Sequence, residues 1–448
     1  MSENIAAIAT PFGTGGISVI RISGSTAILE FNKIFKGPNL EKAKSHTIKY
    51  GHVVSLDDGR ILDEVMVSIF RAPRSFTAED TIEVSTHGGV LVTQSVLNEI
   101  LKLDVRKAEP GEFTQRAFLN GRIDLVEAES VMDLIEAQNE SALKIANLGL
   151  SKKTSTLVHD LLDDVLDLIA KIEVNIDYPE YDDAIEMTNE LIRPVAVKLI
   201  EKFNKLIYHS QRNQLIKDGI DTAIIGRPNV GKSSLLNALI EEDRAIVTDI
   251  SGTTRDLIEA RLNLGGITLN LIDTAGIRET DDVVESIGID RSIEAIRRAK
   301  LVLLVLDQSN KLTKEDKELI ELTKDKKRIL IGNKSDLDKQ IELEGLISIS
   351  SLHQLGLEDL EREIISKLSL TEIETEDFNY LSNERQISKI KEAKASMEEV
   401  VRGIDLEMPV DLIIVDLTNS YYSLADILGK SYETSIIDQL FSKFCLGK

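Results

Sequence analysis

The chain has 448 residues, with 53 Lys and Arg against 76 Asp and Glu, a net charge of −23, and 42% hydrophobic and 29% charged residues. At roughly 100–200 residues per domain this predicts two to four folded domains, not a disordered chain. The acidic balance excludes a protein that coats nucleic acid non-specifically, which needs many cations on phosphates, and leaves open a local basic patch or a partner that holds the nucleic acid. Cys445 is the single cysteine and the six His form no H-x-x-x-H pair, so neither a disulfide framework nor a Cys-rich or His-based metal site is expected. The start, Met1-Ser2-Glu3-Asn4, lacks the basic stretch of a signal or transit peptide. Apolar runs such as 301–306 are strand-length, far below the ~20 residues that span a bilayer. The expectation is a cytoplasmic protein with no membrane span.

In chain order, residues 1–118 read as strands mixed with short helices. Ile17, Val19, Ile20 and Ile22, then Val65, Val67, Ile69 and Phe70, mark two strands. From about 119 the period changes: Leu157, Leu161, Val165, Leu168, Ile169 and Ile172 recur at helical spacing, with a turn-like break at Tyr178-Pro179-Glu180 and more helix to about 216. Over 217–370, apolar runs at 223–225, 269–272, 301–306, 329–331 and 347–349 alternate with helical stretches, the pattern of a parallel, doubly wound α/β domain. Helical periodicity resumes after 375 with Ile387, Ile390, Met397, Val400 and Val401. The predicted organisation is an α+β domain over 1–118, a helical domain in two parts, 119–216 and 371–448, and an α/β domain over 217–370 inserted between those parts.

Within the α/β domain, Gly226-Arg227-Pro228-Asn229-Val230-Gly231-Lys232-Ser233 fits G-x-x-x-x-G-K-[ST], after an apolar strand and before the helical stretch Leu235-Leu236-Asn237-Ala238-Leu239. That context marks a phosphate-binding loop: backbone N–H groups converge on phosphate oxygens, Lys232 reaches the outer phosphates and the Ser233 hydroxyl holds Mg2+. Asp273-Thr274-Ala275-Gly276 follows its strand where the magnesium-side carboxylate and a glycine N–H for the γ-phosphate are expected. Asn333-Lys334-Ser335-Asp336 is similar to the guanine-specificity motif of GTPases, in which the Asp carboxylate accepts two hydrogen bonds from the guanine edge that adenine does not offer. Ser350-Ser351 stands where GTPases place a backbone N–H against guanine O6. Each segment alone reads equally as a cap or turn; in this order, each after a strand, they predict a GTPase. Ras-type GTPases place a water-orienting Gln after the D-T-A-G glycine. Here that position is Ile277, so the catalytic group comes from elsewhere. The acidic stretch 279–285 is the nearest source, although by composition it reads first as a solvated loop.

Further motifs stand at both ends of the chain: Ala9-Thr10-Pro11, Gly15-Gly16 and Arg21-Ile22-Ser23-Gly24; the segment 111–125, GEFTQRAFLNGRIDL; Ile176-Asp177-Tyr178-Pro179; the switch-like Thr248-Asp249-Ile250-Ser251-Gly252-Thr253-Thr254-Arg255-Asp256; and the terminal Cys445-Leu446-Gly447-Lys448. Together they resemble the MnmE (TrmE) family of tRNA-modification GTPases. The resemblance implies an N-terminal folate-binding and dimerisation domain, a helical domain and an inserted G domain. It also implies a homodimer working with the FAD-dependent partner MnmG (GidA), in a heterotetramer or larger assembly. Together they install an aminomethyl-type (carboxymethylaminomethyl) group at C5 of the tRNA wobble uridine, with a one-carbon unit from tetrahydrofolate as its 5-formyl or 5,10-methylene form. In the G domain it implies K+ in place of an arginine finger, held by Asn229 and by backbone carbonyls of Thr248, Ile250 and Thr253. Thr254 joins Ser233 on Mg2+, and Glu285 positions the attacking water, with Asp281 and Asp282 as alternatives. The remaining GTP contacts fall on residues 229–234, 248–254 and 273–276, on Asn333, Lys334 and Asp336, and on 350–351. For folate it implies Arg21, Glu83, Arg122 and Lys448. Cys445 is a candidate for chemistry on the one-carbon group or the uracil, and equally a thiol that packs near the folate. A ribosome-assembly GTPase that holds RNA is the competing reading; it calls for a basic RNA module such as a KH domain, whereas the tail after 375 reads as helical.

Overall fold

The computed structural model describes residues 3–177, 188–241, 258–264, 267–272, 293–368, 380–430, 434–442, 444 and 447. It divides into two compact units, one of residues 1–132, 149–187 and 407–448, the other of 133–148 and 188–406.

In the first unit a seven-stranded sheet is built from β1 (Ile5–Ile8), β2 (Ile17–Ser23), β3 (Phe35–Lys36), β4 (Thr47–Val54), β5 (Ile61–Phe70), β6 (Thr81–His87) and β7 (Arg106–Lys107), in the order β3-β4-β5-β6-β2-β1-β7. β7 runs parallel to β1 and the other pairings are antiparallel. The alternation seen at 17–22 and 65–70 is the pleat of β2 and β5: Ile20, Ile22, Val65, Val67 and Ile69 enter a core with Phe31, Val96 and Ile100. The opposite face carries polar and exposed side chains, so the register decides what meets there. The helix Lys153–Asp177 contains the periodic stripe read from the sequence, buries Leu161, Val165, Leu168 and Ile172, and packs on the helix Val410–Ile427. The break at 178–180 lies outside the described residues. At the end of the chain the helix Thr434–Phe441 packs on the helix Glu112–Leu119, with Phe441 between Phe118 and Phe444.

In the second unit a six-stranded sheet has the order β13-β12-β11-β8-β10-β9, from β8 (Ile220–Ile225), β9 (Ile258–Leu264), β10 (Ile267–Ile272), β11 (Leu301–Asp307), β12 (Arg328–Asn333) and β13 (Leu346–Ser348). All five apolar runs fall on strands, the last ending one residue beyond β13. β11 is buried throughout: Leu301, Leu303 and Val305 pack into one core, Val302, Leu304 and Leu306 into the other, as expected of a sheet covered on both faces. The sheet is not wholly parallel. β9 pairs antiparallel with β10 at the edge, because the short connection between them allows only a hairpin. The helix Asn189–Asp218 leads into β8 and packs on the helix Glu384–Asp405.

Candidate functional site

β8 ends at Ile225, and the next eight residues form the predicted phosphate loop. Gly226 (φ 156°) passes so close to β11 that a Cβ there would run into the Val305 carbonyl, and at Gly231 (φ 97°) a Cβ would collide with Asn333 Nδ2. Asn229 also has a positive φ, 65°, a conformation Asn tolerates better than most side chains. Val230 is fully buried and anchors the loop from below, while Asn229, Ser233 and Ser234 are exposed. Helix Lys232–Glu241 begins at once, leaving its first N–H groups and its positive dipole end at the loop. The Lys232 ammonium donates to the Gly226 and Arg227 carbonyls at 2.8 and 3.0 Å, and burial pushes its pKa down. The ammonium is thus turned onto carbonyls of the loop itself.

The predicted base loop follows β12. Asn333 is buried, donates from Nδ2 to the Val230 carbonyl at 2.9 Å, and accepts from Ser351 N and Ser351 Oγ at 3.0 Å each. It therefore ties three loops together. Asp336 is exposed and accepts from Ser350 Oγ at 2.6 Å, a bond that holds its carboxyl below the usual range and leaves it ionised. One carboxylate, ionised and fixed by one hydroxyl, suits recognition of two N–H donors on a planar base. The Asp336→Asn variant should accordingly lose affinity for GTP and gain it for xanthosine triphosphate; competition binding with the two nucleotides measures the exchange, and an unchanged ratio would remove Asp336 from the base site.

Asp307, the last residue of β11, was not singled out by motif. It accepts the Lys334 ammonium at 2.7 Å and is itself 5% exposed. Burial raises its pKa, but the Lys334 ammonium with the Ser309 hydroxyl and N–H bring it to about 2. The available signal was an acid closing a fully apolar strand.

A second cluster lies in the other unit, on the open face of the seven-stranded sheet. Arg21 on β2 stands directly opposite Glu83 on β6, and their side chains pair at 2.8 Å. The Arg21 guanidinium lies over the Phe76 and Phe113 rings at 5.2 and 5.6 Å, and Arg122 lies over Phe76 at 5.2 Å while donating to its carbonyl. Arg21 also donates to the Gly447 carbonyl at 3.4 Å, although the two residues are 426 apart in sequence. Gly447 (φ 89°) fits there because a Cβ would strike the Ile8 carbonyl. Below this cluster, Arg116 bridges Glu79 and Glu112 at 3.0 and 2.9 Å with all three side chains buried or nearly so, which holds the 76–81 loop. Two of the four predicted folate residues, Arg21 and Arg122, thus meet on Phe76, a ring with no sequence motif to mark it, and a third, Glu83, pairs with Arg21.

Thr248, Asp249, Ile250, Ser251, Gly252, Thr253, Thr254, Asp273, Thr274, Ala275, Gly276, Asp281, Asp282, Glu285, Cys445 and Lys448 lie outside the described residues. Among the described residues no group of His, Cys, Asp and Glu forms a metal cluster, and no described helix is long and apolar enough to cross a membrane.

Two family models match the chain: the MnmE helical domain over residues 125–445 and the GTP-binding protein TrmE N-terminus over 4–122. Among similar curated proteins, a tRNA modification GTPase MnmE from Acholeplasma laidlawii is 58% identical over 446 residues, covering 100% of this chain and 99% of the relative. One of the same description from Aster yellows witches'-broom phytoplasma is 53% identical over 458 residues, with 100% and 99% coverage. Another from Ligilactobacillus salivarius is 49% identical over 456 residues, with 100% and 98% coverage.

Proposed function

Because the chain belongs to the MnmE family of tRNA modification GTPases, we propose that it hydrolyses GTP in a homodimer and, with the FAD-dependent partner MnmG, installs an aminomethyl-type group at C5 of the tRNA wobble uridine. The one-carbon unit comes from a tetrahydrofolate held by the first unit. The proposed division of the chain is the one expected from its sequence: 1–118, 119–216 with 371–448, and 217–370.

One observation carries the folate assignment: the C-terminal Gly447 carbonyl lies on Arg21, beside Glu83 and Arg122. Gly447 of the terminal C-x-G-K motif thus lies beside an N-terminal arginine that the folate reading needs. Glu83 would accept two hydrogen bonds from the pterin amide edge, Arg21, Arg122 and Lys448 would pair with carboxylates or a one-carbon oxygen, and Phe76 would pack on a planar ring. When bound, the folate supplies a carbon at the oxidation level of formyl or methylene. Cys445, two residues before Gly447, is the nearest nucleophile in sequence.

In the G domain, Lys232 and the N–H groups that open its helix would take the phosphates, and Asp336 the guanine edge. Mg2+ would be held by Ser233 and Thr254; the exposed Ser233 hydroxyl at a helix N-terminus fits that role. K+ would be held by Asn229 and the carbonyls of Thr248, Ile250 and Thr253, and Glu285 would position water.

The homodimer is supported by the outer face of β4 and β5, where Tyr50 stands opposite Met66 and both are at least half exposed beside Ile48. The net charge of −23 suits an arrangement in which the partner supplies much of the cationic surface for tRNA, and a cytoplasmic location follows from that substrate.

The test is a tetrahydrofolate titration. Arg21→Ala and Glu83→Ala should each weaken binding about tenfold or more, the scale of a lost charge-assisted hydrogen bond, and leave GTP hydrolysis within about twofold. Wild-type affinity in both variants would overturn the folate assignment. Mass spectrometry of the wobble uridine in a strain lacking the chain tests the modification itself.

A further inference from the structure

The base loop and the phosphate loop meet at one carboxylate that takes part in neither motif. Asp307 Oδ2 accepts the Lys334 ammonium at 2.7 Å and Asn310 Nδ2 at 3.1 Å, and the Arg227 guanidinium of the phosphate loop approaches the same oxygen at 4.0 Å. Asp307 Oδ1 is occupied separately, by Ser309 N at 3.0 Å and Ser309 Oγ at 2.6 Å. Arg227 is braced from its other side by Asp316 at 3.4 Å, an acid that also closes the capping box of the helix Lys314–Leu322. The next residue, Gln308, is buried, donates its N–H to the Asn333 carbonyl at 3.1 Å and accepts from Ser348 Oγ at 2.9 Å. Residues 307–308 therefore form a hub under both loops.

We propose that Asp307 is a positioning residue for guanine nucleotides: through Lys334 and Arg227 it sets the spacing between the base loop and the phosphate loop. It acts on the nucleotide only through those two side chains. Lys334 has a positive φ of 67°, so its backbone has little freedom and its stem is directed by what holds the ammonium. With Oδ2 removed as an acceptor, Lys334 and Arg227 lose their common anchor and the two loops vary independently. The cost falls on binding a ligand that must touch both. The inference rests on the reading of residues 333–336 as the guanine site, which the Asp336→Asn variant tests separately.

Asp307→Asn is a selective probe. It keeps an oxygen for the Ser309 N–H and hydroxyl, and replaces Oδ2 by an NH2 that faces only donors. In the full-length chain with Mg2+, the Kd for GDP should rise about tenfold, the scale of one charged hydrogen bond. The KM for GTP should rise more than kcat falls, and the preference for GTP over ATP should narrow. Asp307→Glu keeps the charge but displaces it, and should give an intermediate Kd. Lys334→Met should weaken GDP by a similar factor, and adding Asp307→Asn to it should weaken GDP further by clearly less than Asp307→Asn does alone, because only the Arg227 route is left to lose. Additive effects in that cycle, or an unchanged Kd in Asp307→Asn, would overturn the proposal. If thermal unfolding shows that Asp307→Asn does not fold, the cycle of Asp307→Glu with Lys334→Met decides. An equal factor for Asp307→Glu in both backgrounds would then overturn it. Should Asp336→Asn leave the guanine-to-xanthine ratio unchanged, the base-site reading itself fails; should it exchange that ratio while the Asp307 variants bind GDP normally, only the present inference fails.

Discussion

GTP hydrolysis by this chain should be fast in K+, Rb+ or NH4+ and slow in Na+ at the same ionic strength. Ile277 occupies the position of the usual water-orienting Gln, and charge still develops between the β- and γ-phosphates during transfer. Where an arginine finger meets that charge it is worth ~10³–10⁵ in rate, so the gap between K+ and Na+ should reach orders of magnitude. Asn229, the proposed side-chain ligand, is exposed and held at φ 65°. A neutral carboxamide oxygen suits a large, weakly hydrated monovalent ion. Asn229→Ala should abolish the K+ stimulation and leave the slow rate in Na+ unaltered. Equal wild-type rates in Na+ and K+ would sink the cation mechanism. A stimulation that survives Asn229→Ala would keep the ion and remove this residue from its site.

Glu285→Ala should cost ~10²–10⁴ in single-turnover hydrolysis, the span of a general acid–base group, with GTP affinity kept within about threefold. Ser233→Ala provides the contrast, since loss of a magnesium-binding hydroxyl should weaken the Mg2+-dependent bound state itself. Measuring Kd for a non-hydrolysable GTP analogue beside the rate separates the two. Normal turnover in Glu285→Ala would transfer the role to Asp281 or Asp282, which single substitutions then distinguish.

What was legible in the sequence is what neighbouring residues decide among themselves. β2 and β5 of the first sheet and five of the six strands of the second announced themselves by period two or by continuous apolar runs, because the pleat sends alternate side chains to opposite faces whatever lies across from them. The long helix Lys153–Asp177 was readable from its stripe for the same reason. The phosphate loop was legible because its function needs glycines, a lysine and a hydroxyl at fixed spacing along one strand–turn–helix unit, and the motifs at both ends of the chain carried the family. β9 alternates at Ile258, Ala260, Leu262 and Leu264 but is not among the apolar runs read from the sequence, and its antiparallel direction depends on the partner strand and the connection. Only the tertiary structure decided the rest. It set Glu83 opposite Arg21 through the β2–β6 register, and brought two guanidinium groups over the Phe76 ring. It gave Asn333 to the loops on either side of it, through Val230 and Ser351, and gathered Lys334 and Arg227 on Asp307. It also carried Gly447 back to Arg21 across 426 residues. Such meetings depend on register and packing summed over the whole chain, and a charged residue has no local signature of the partner that folding brings to it.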